Sequence, residues 1–258
     1  MVNIAVTTSL GGQVLGQIAQ DIACDLDIAY YPRESHSIDE LLKTYDLEYL
    51  IVIETQRLII QGKTTLFWHP NMSVPRIKAL REGNNDPMIS AMKLKSGHRV
   101  LDCTLGMAAD AIVASFFVGN SGHVTGLEAN KYIAMLVKYG LQEYLTENKY
   151  LKEAFSRLNI INANFIDFMN TQPKSSYDIV YFDPMFTYPL AKSSALNALR
   201  PLAVHDDISL EHIHAAKKIA KERVVMKQNR RSRKFETLSP DFICGGRHSS
   251  VAFYVWEV

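Results

Sequence analysis

The sequence predicts an α/β protein built on a mostly parallel β-sheet whose faces are covered by helices. Three observations support this prediction. From about residue 99 onward, short apolar runs typical of strands alternate with segments of helical periodicity. The last two predicted strands follow one another without a helix, so they are expected to close the sheet as a hairpin. At 258 residues and 47% hydrophobic, the chain can bury a sizeable core.

The first 70 residues are predicted to form a small α/β unit. Ser37, with Glu40 three positions later, has the pattern of a capping box and marks a helix start. Gln61-Gly62-Lys63 separates two short apolar runs, which indicates a hairpin. The predicted elements are a strand at 3–8, a helix over 14–22 after Gly11-Gly12, a helix from Ser37, a strand at 49–54 and a hairpin of 58–60 with 64–68.

A domain boundary is predicted near residue 85. His69-Pro70-Asn71 interrupts the strand pattern, and a polar stretch with helical character leads to Asp86-Pro87. The prediction is a small α/β domain over 1–85 and a larger domain over 86–258. Strands of the larger domain are expected at 99–103, 123–128, 159–162, 179–182, 223–227 and 251–255, and helices at 108–118, 129–144 and 210–221.

Composition indicates a soluble protein of a reducing compartment. No apolar run is long enough to cross a bilayer, and the N-terminus shows no signal-peptide pattern. The three cysteines are far apart and lack a Cys-x-x-Cys spacing. We therefore expect a cytoplasmic location, no membrane partner and no metal site.

Charge is distributed unevenly along the chain. The formal net charge is only +1, yet the segment 217–234, called the basic segment below, holds nine Lys or Arg and one Glu. Such a segment can neutralise phosphates of a nucleic acid, or it can be a solvated helix face with a loop. The predicted nucleic-acid contacts are Lys227, Arg230, Arg231, Arg233 and Lys234.

Residues 100–110 form the first candidate site. An apolar strand runs into Asp102, then into small residues at Thr104 and Gly106, and a helix follows. Small residues let the backbone turn sharply and approach a ligand, and the helix start offers free N–H groups. A tight turn without a ligand is the alternative.

Glu128 is the second candidate. It follows the predicted strand 123–128, at the place where such sheets carry an acid that accepts both ribose hydroxyls of a nucleotide cofactor. Its position does not distinguish S-adenosylmethionine (SAM) from a nicotinamide cofactor. A helix cap is the alternative role.

The third candidate is Asp183-Pro184-Met185-Phe186, at the end of an apolar strand. It resembles the (Asp/Asn)-Pro-Pro-aromatic signature of enzymes that methylate planar amino groups. The lone pair of such an amine is delocalised, so it must be oriented towards the methyl group that it attacks. The Asp183 carboxylate and the Pro184 carbonyl can accept the amine N–H groups, and Phe186 can stack on the base. An ordinary Asp-Pro turn is the alternative.

Taken together, these segments resemble the small-subunit ribosomal RNA methyltransferase J family. The matching segments, which fall within residues 85–258, are 101–110, 181–186, 223–227 and 246–248. The resemblance implies a Rossmann-like class I methyltransferase domain with a seven-stranded sheet, SAM as cofactor, and the N2 amine of a guanine in small-subunit ribosomal RNA, naked or in the subunit, as acceptor. It implies cofactor contacts at Asp102, Thr104, Gly106, Ala109, Asp110, Glu128, Ala129, Asn164, Phe165 and Asp183, and places the acceptor at Asp183, Pro184 and Phe186.

Several positions depart from the family pattern, and other functions stay open. The loop has Ala108-Ala109 where the family commonly has Gly-Arg, and the first 85 residues match the family poorly. Alternatives are methylation of adenine N6, cytosine N4 or a glutamine amide, and a non-catalytic RNA-binding protein on the same fold. A nicotinamide oxidoreductase would leave Asp183-Pro184-Met185-Phe186 without a role.

Overall fold

The structure, a computed structural model, describes residues 2–184, 202, 207–246 and 249–258. Its strands are β1 (Ile4–Thr8), β2 (Tyr49–Ile53), β3 (Leu58–Gln61), β4 (Thr65–Phe67), β5 (Arg99–Asp102), β6 (His123–Glu128), β7 (Leu158–Asn162), β8 (Tyr177–Phe182), β9 (Ala220–Asn229), β10 (Phe242–Cys244) and β11 (Val251–Glu257). Its helices are α1 (Gly16–Asp25), α2 (Ile38–Thr44), α3 (Ser73–Arg81), α4 (Pro87–Met92), α5 (Ala109–Val118), α6 (Lys131–Glu143), α7 (Lys149–Ser156), α8 (Phe165–Thr171), α9 (Leu210–Ile219) and α10 (Phe235–Leu238).

The described residues divide into two compact units. The first contains residues 2–69, 131–145 and 202, and the second contains the remainder. Helix α3 therefore belongs to the second unit, although it precedes residue 85. The boundary at residue 85 stays a prediction. No helix among the described residues is both long and apolar enough to span a bilayer.

The first unit is built on a four-stranded sheet in the order β1-β2-β3-β4. β1 and β2 are parallel, and the predicted hairpin of β3 and β4 is confirmed as an antiparallel pair. The capping box at α2 is also confirmed, because the Ser37 hydroxyl accepts the Glu40 N–H and the Glu40 carboxylate accepts the Ser37 N–H. Helix α6 lies close to Trp68: a Cβ at Gly140 would stand 2.4 Å from a Trp68 ring atom, so only glycine fits there.

The second unit is built on a seven-stranded sheet in the order β10-β11-β9-β8-β5-β6-β7. β5 to β9 are parallel, and β11 lies antiparallel between β9 and β10. The predicted Rossmann-like sheet is thus confirmed. Because the central strands are buried on both faces, apolar residues such as Leu101, Val180 and Val224 are fully buried.

Besides the four-residue α10, three helices of the second unit were not predicted, namely α4, α7 and α8. Each is short, at six to eight residues, and each begins at an Asp or Asn whose side chain accepts a backbone N–H of the first turn. The caps are Asp86, Asn148 and Asn164. Side-chain caps were therefore the available signal for these helices.

Candidate active site

Three carboxylates meet at one edge of the seven-stranded sheet. β5 lies between β6 and β8, and all three strands run in the same direction. Asp102 ends β5, Glu128 ends β6, and Asp183 follows β8 directly. In open α/β sheets, ligands bind outside the carboxyl ends of the strands. The three acids predicted from the sequence therefore lie at the edge of the sheet where a ligand is expected.

The loop after β5 holds Glu128. The Gly106 N–H donates to Glu128 Oε2 at 3.1 Å, and the Asn130 N–H donates to Oε1 at 2.9 Å. Burial raises the pKa of Glu128 above its usual value, and these two N–H groups oppose that rise. Gly106 has a φ of +50°, and no atom of the described residues other than its chain neighbours lies within 4 Å of the place a Cβ would take. The loop therefore leaves open space beside a carboxylate whose orientation is fixed.

Ala108 adopts a backbone conformation that favours glycine. Its φ is +63°, in the left-handed region, and it is fully buried directly before α5. A side chain in this conformation costs about 1–2 kcal/mol relative to glycine. The chain holds Ala108 in this conformation despite the strain.

Thr104 connects the loop after β5 to the end of β8. Its N–H donates to Asp102 Oδ1 at 3.1 Å, and its hydroxyl oxygen accepts the Asp183 N–H at 2.5 Å. Asp102 is almost completely buried, which raises its pKa to about 8, helped by the negative charges of Asp110 and Asp183. Asp102 is therefore largely protonated at neutral pH.

Replacing Asp102 by Asn is expected to make stability less dependent on pH. The folded-state pKa of Asp102 lies above its ordinary value of 3.8, so between about pH 4 and pH 8 the folded chain retains a proton that the unfolded chain has lost. The free energy of unfolding consequently falls as the pH rises through this window. Asn removes this dependence and keeps an oxygen for the Thr104 N–H.

Urea unfolding at pH 5 and pH 8.5 tests this prediction. The free energy of unfolding of Asp102→Asn should exceed that of wild type at pH 8.5, and the difference should be smaller at pH 5. The exposed Asp167 provides a matched control, because Asp167→Asn should follow the wild-type pH dependence. Equal pH dependence in wild type and Asp102→Asn would show that Asp102 is ionised throughout the range.

Asp110, in the first turn of α5, is the centre of a buried ion-pair network. The Tyr181 hydroxyl donates to Asp110 Oδ2 at 2.7 Å, and the Lys227 ammonium lies 3.0 Å from the same oxygen. Arg76 donates to Asp110 Oδ1 and, from Nε at 2.7 Å, to Asp86 Oδ2. Although burial alone would raise the pKa of Asp110, the charges of Lys227 and Arg76 hold it well below its usual value.

Asp183 is attached to this network through Lys227. The Lys227 Nζ lies 2.7 Å from Asp183 Oδ2. Burial raises the pKa of Asp183 to about 6, Lys227 opposes the rise, and the negative charge of Asp110 adds to it. At neutral pH Asp183 is thus largely ionised and can accept hydrogen bonds. Pro184 is buried beside it, whereas Met185 and Phe186 lie outside the described residues.

The other predicted cofactor residues lie at the start of α5, directly after β6 and at the start of α8. Ala109 precedes Asp110 on α5, and Ala129 follows Glu128; both are partly exposed. Asn164 caps α8 by accepting the Ile166 N–H at 2.8 Å. The Phe165 side chain packs edge-on against Phe182 in the core, so this side chain is not exposed to a ligand. Their roles as cofactor contacts stay predictions.

The basic segment is spread over both ends of β9. Arg223 is buried and pairs with Glu257, and Lys221 pairs with Asp178 at the edge opposite the carboxylates. Beyond Lys227, Arg230 donates to the carbonyls of Gly245, Gly246 and Ser249, and Lys234 pairs with Asp207. Arg231 and Arg233 are exposed. Binding of nucleic acid by these residues stays a prediction.

Comparison with known proteins decides the family. Residues 66–256 match the family profile described as "Putative SAM-dependent methyltransferase". The chain is 33% identical over 181 residues to the ribosomal RNA small subunit methyltransferase J of Coxiella burnetii, covering 67% of each protein. The chain belongs to this methyltransferase J family.

Two further relatives extend the comparison. The methyltransferase is 34% identical over 219 residues to the uncharacterized protein YpiP of Bacillus subtilis, covering 84% of this chain and 85% of YpiP. The solved structure of a SAM-dependent methyltransferase from Neisseria gonorrhoeae aligns with a TM-score of 0.67 at 19% identity, over 98% of this chain and 95% of that one. The similarity to this solved structure shows the fold of the chain.

The charged residues near the carboxyl ends of the parallel strands fit a cationic nucleotide cofactor. Asp86, Asp110 and Asp183 outnumber the cations Arg76 and Lys227, and Asp102 adds further negative charge when it ionises. A site with net negative charge attracts the positive sulfonium group of such a ligand. The open space at Gly106 lies beside the Glu128 carboxylate, which is the kind of group that accepts ribose hydroxyls. SAM is accordingly the cofactor of this methyltransferase.

Proposed function

We propose that this methyltransferase acts on an exocyclic amine of a nucleobase, the N2 amine of a guanine in small-subunit ribosomal RNA. The observation that carries the proposal is the placement of Asp183. It directly follows β8, its N–H is fixed by Thr104, and one of its carboxylate oxygens is held by Lys227. Relatives named ribosomal RNA small subunit methyltransferase J support the RNA acceptor.

The chemistry of an aromatic amine explains the use of Asp183. SAM, when bound, supplies a methyl group on a sulfonium sulfur. The Asp183 carboxylate and the Pro184 carbonyl accept the two N–H groups of the amine and so direct its lone pair towards that methyl carbon. The methylated nitrogen must release one proton, and Asp183 or water would accept it.

Glu128 is proposed to hold the ribose of the cofactor. Its two oxygens each accept one backbone N–H and retain lone pairs for the ribose hydroxyls. Hydrogen bonds to a charged group contribute about 1.5–3 kcal/mol, so Glu128→Gln should raise the Kd for SAM about 10- to 100-fold. Isothermal titration calorimetry measures this change.

The exposed Glu153 of α7 offers a matched control for that titration. Glu153→Gln should bind SAM as tightly as wild type. A Glu128→Gln protein that also binds with the wild-type Kd would remove Glu128 from the cofactor site.

The acceptor class is tested by following a labelled methyl group. The enzyme is incubated with tritiated SAM and small ribosomal subunits that lack the modification, and RNA and protein are then separated. The proposal expects label in the RNA, with a rate that falls as salt rises, because phosphate contacts release counterions. Label in protein would favour a glutamine amide. Absence of label in both, with SAM bound, would favour a non-catalytic RNA-binding protein.

A further inference from the structure

The ammonium of Lys227 lies between the carboxylates of Asp110 and Asp183. We propose that Lys227 is a positioning residue for methyl transfer, which holds the Asp183 carboxylate as an ionised and correctly oriented acceptor for the substrate amine. This inference rests on the proposed function of Asp183. It gives Lys227 a role different from the phosphate contact that the basic segment suggests.

Distances define how Lys227 acts on Asp183. Its Nζ lies 2.7 Å from Asp183 Oδ2 and 3.0 Å from Asp110 Oδ2, and its side chain is 23% exposed. Asp183 Oδ1 accepts no hydrogen bond from any residue that the structure describes. With Oδ2 held by the ammonium and the backbone N–H held by Thr104, Oδ1 remains for the N–H of an incoming amine.

The surrounding charges explain why Lys227 is needed. Asp110 is an ionised acid next to Asp183, and its negative charge opposes the ionisation of Asp183. Tyr181 and Arg76 donate to Asp110 and thereby fix the position of the second carboxylate that the Lys227 ammonium contacts. Among the described residues, Lys227 is the cation that is bonded to Asp183. Its removal would leave neighbouring carboxylates whose charges repel each other.

The same two strands provide a matched control. Lys221 on β9 pairs with Asp178 on β8 at 2.9 Å, at the opposite edge of the sheet, and its side chain is 46% exposed. Lys221→Met therefore removes a lysine–aspartate pair between β9 and β8 without touching the carboxylates of the site. Its effects on stability report what a merely structural ion pair contributes.

The first experiment measures the titration of Asp183 directly. Carboxyl-detected NMR on aspartate-labelled protein, with Asp183→Asn to assign the signal, is run for wild type, Lys227→Met and Lys221→Met. We expect the Asp183 pKa to rise by about one unit or more in Lys227→Met, because a nearby cation is lost, and to be unchanged in Lys221→Met. Lys227→Arg keeps the charge and should show a smaller shift. An Asp183 titration unchanged in Lys227→Met overturns the proposal.

The second experiment measures kcat against pH on the RNA acceptor. In Lys227→Met the acidic limb should move to higher pH and kcat at pH 7 should fall about 100-fold, as for other preorganised electrostatic groups, while the Kd for SAM stays within about 3-fold. Lys227→Arg should recover part of kcat, which also shows that the site still folds. A profile that coincides with that of wild type, or an equal loss in Lys221→Met, contradicts the proposal.

Failure of the two proposals can be told apart. If wild type transfers no methyl group to RNA, the proposed function fails, while the NMR titration still decides whether Lys227 keeps Asp183 ionised. If wild type methylates RNA and the Asp183 titration does not depend on Lys227, only the present inference fails.

Discussion

Asp183→Ala is expected to reduce methyl transfer far more than it weakens the binding of SAM. The substitution removes the acceptor that orients the amine but keeps the Asp183 N–H, which donates to Thr104. Loss of one preorganised hydrogen-bonding group at a reacting centre costs about 100- to 1,000-fold in kcat. We therefore expect kcat to fall about 1,000-fold, at the upper end of that range, because proton acceptance is lost as well.

Single-turnover transfer with labelled SAM measures this loss, and calorimetry measures the Kd for SAM in parallel. Asp178→Ala is the control, since Asp178 lies at the other end of β8 and pairs with Lys221. It should retain kcat within about 3-fold, as expected for a group outside the site. An Asp183→Ala protein with more than a tenth of wild-type kcat would contradict the assigned role.

Asp110→Ala is expected to destabilise the fold severely. Asp110 is buried and binds Arg76, Lys227 and the Tyr181 hydroxyl. Removing one partner of a buried ion pair leaves uncompensated charge and costs about 3–5 kcal/mol. Because its pKa is held below its usual value, this contribution is present at neutral pH and declines only as the pH falls below 3.8.

Urea denaturation followed by circular dichroism tests this expectation at pH 7. The exposed Asp167, also in the first turn of a helix, is the matched control, and Asp167→Ala should cost only about 0.3–1 kcal/mol. If Asp110→Ala lowers the free energy of unfolding by less than 1 kcal/mol, Arg76 and Lys227 form equivalent interactions with other groups.

The fold could be predicted where the sequence pattern is strong. Each predicted strand of the larger domain has a counterpart among β5 to β9 and β11, because apolar runs between small or polar residues are distinctive. Helix α7 was missed although it buries Leu151, Ala154 and Phe155 at helical spacing. In a helix of eight residues, three apolar positions in a polar stretch are a weak signal.

The site could be predicted only in part, because its ion pairs join distant positions. Asp102, Glu128 and Asp183 were recognisable, since each ends or follows an apolar strand. Arg76 was not, because its partners Asp86 and Asp110 are 10 and 34 positions away. Lys227 was assigned to RNA from its basic neighbours, whereas its carboxylate partners lie 44 and 117 positions away. Chain topology, not local pattern, brings such groups together.

The atom that receives the methyl group is the most direct test of the proposed function. Small-subunit ribosomal RNA lacking the modification is treated with SAM and either wild type or Asp183→Ala, digested to nucleosides, and examined by mass spectrometry. We expect N2-methylguanosine with wild type and close to none with the variant. N6-methyladenosine or N4-methylcytidine instead, or N2-methylguanosine in equal amounts with Asp183→Ala, would contradict it.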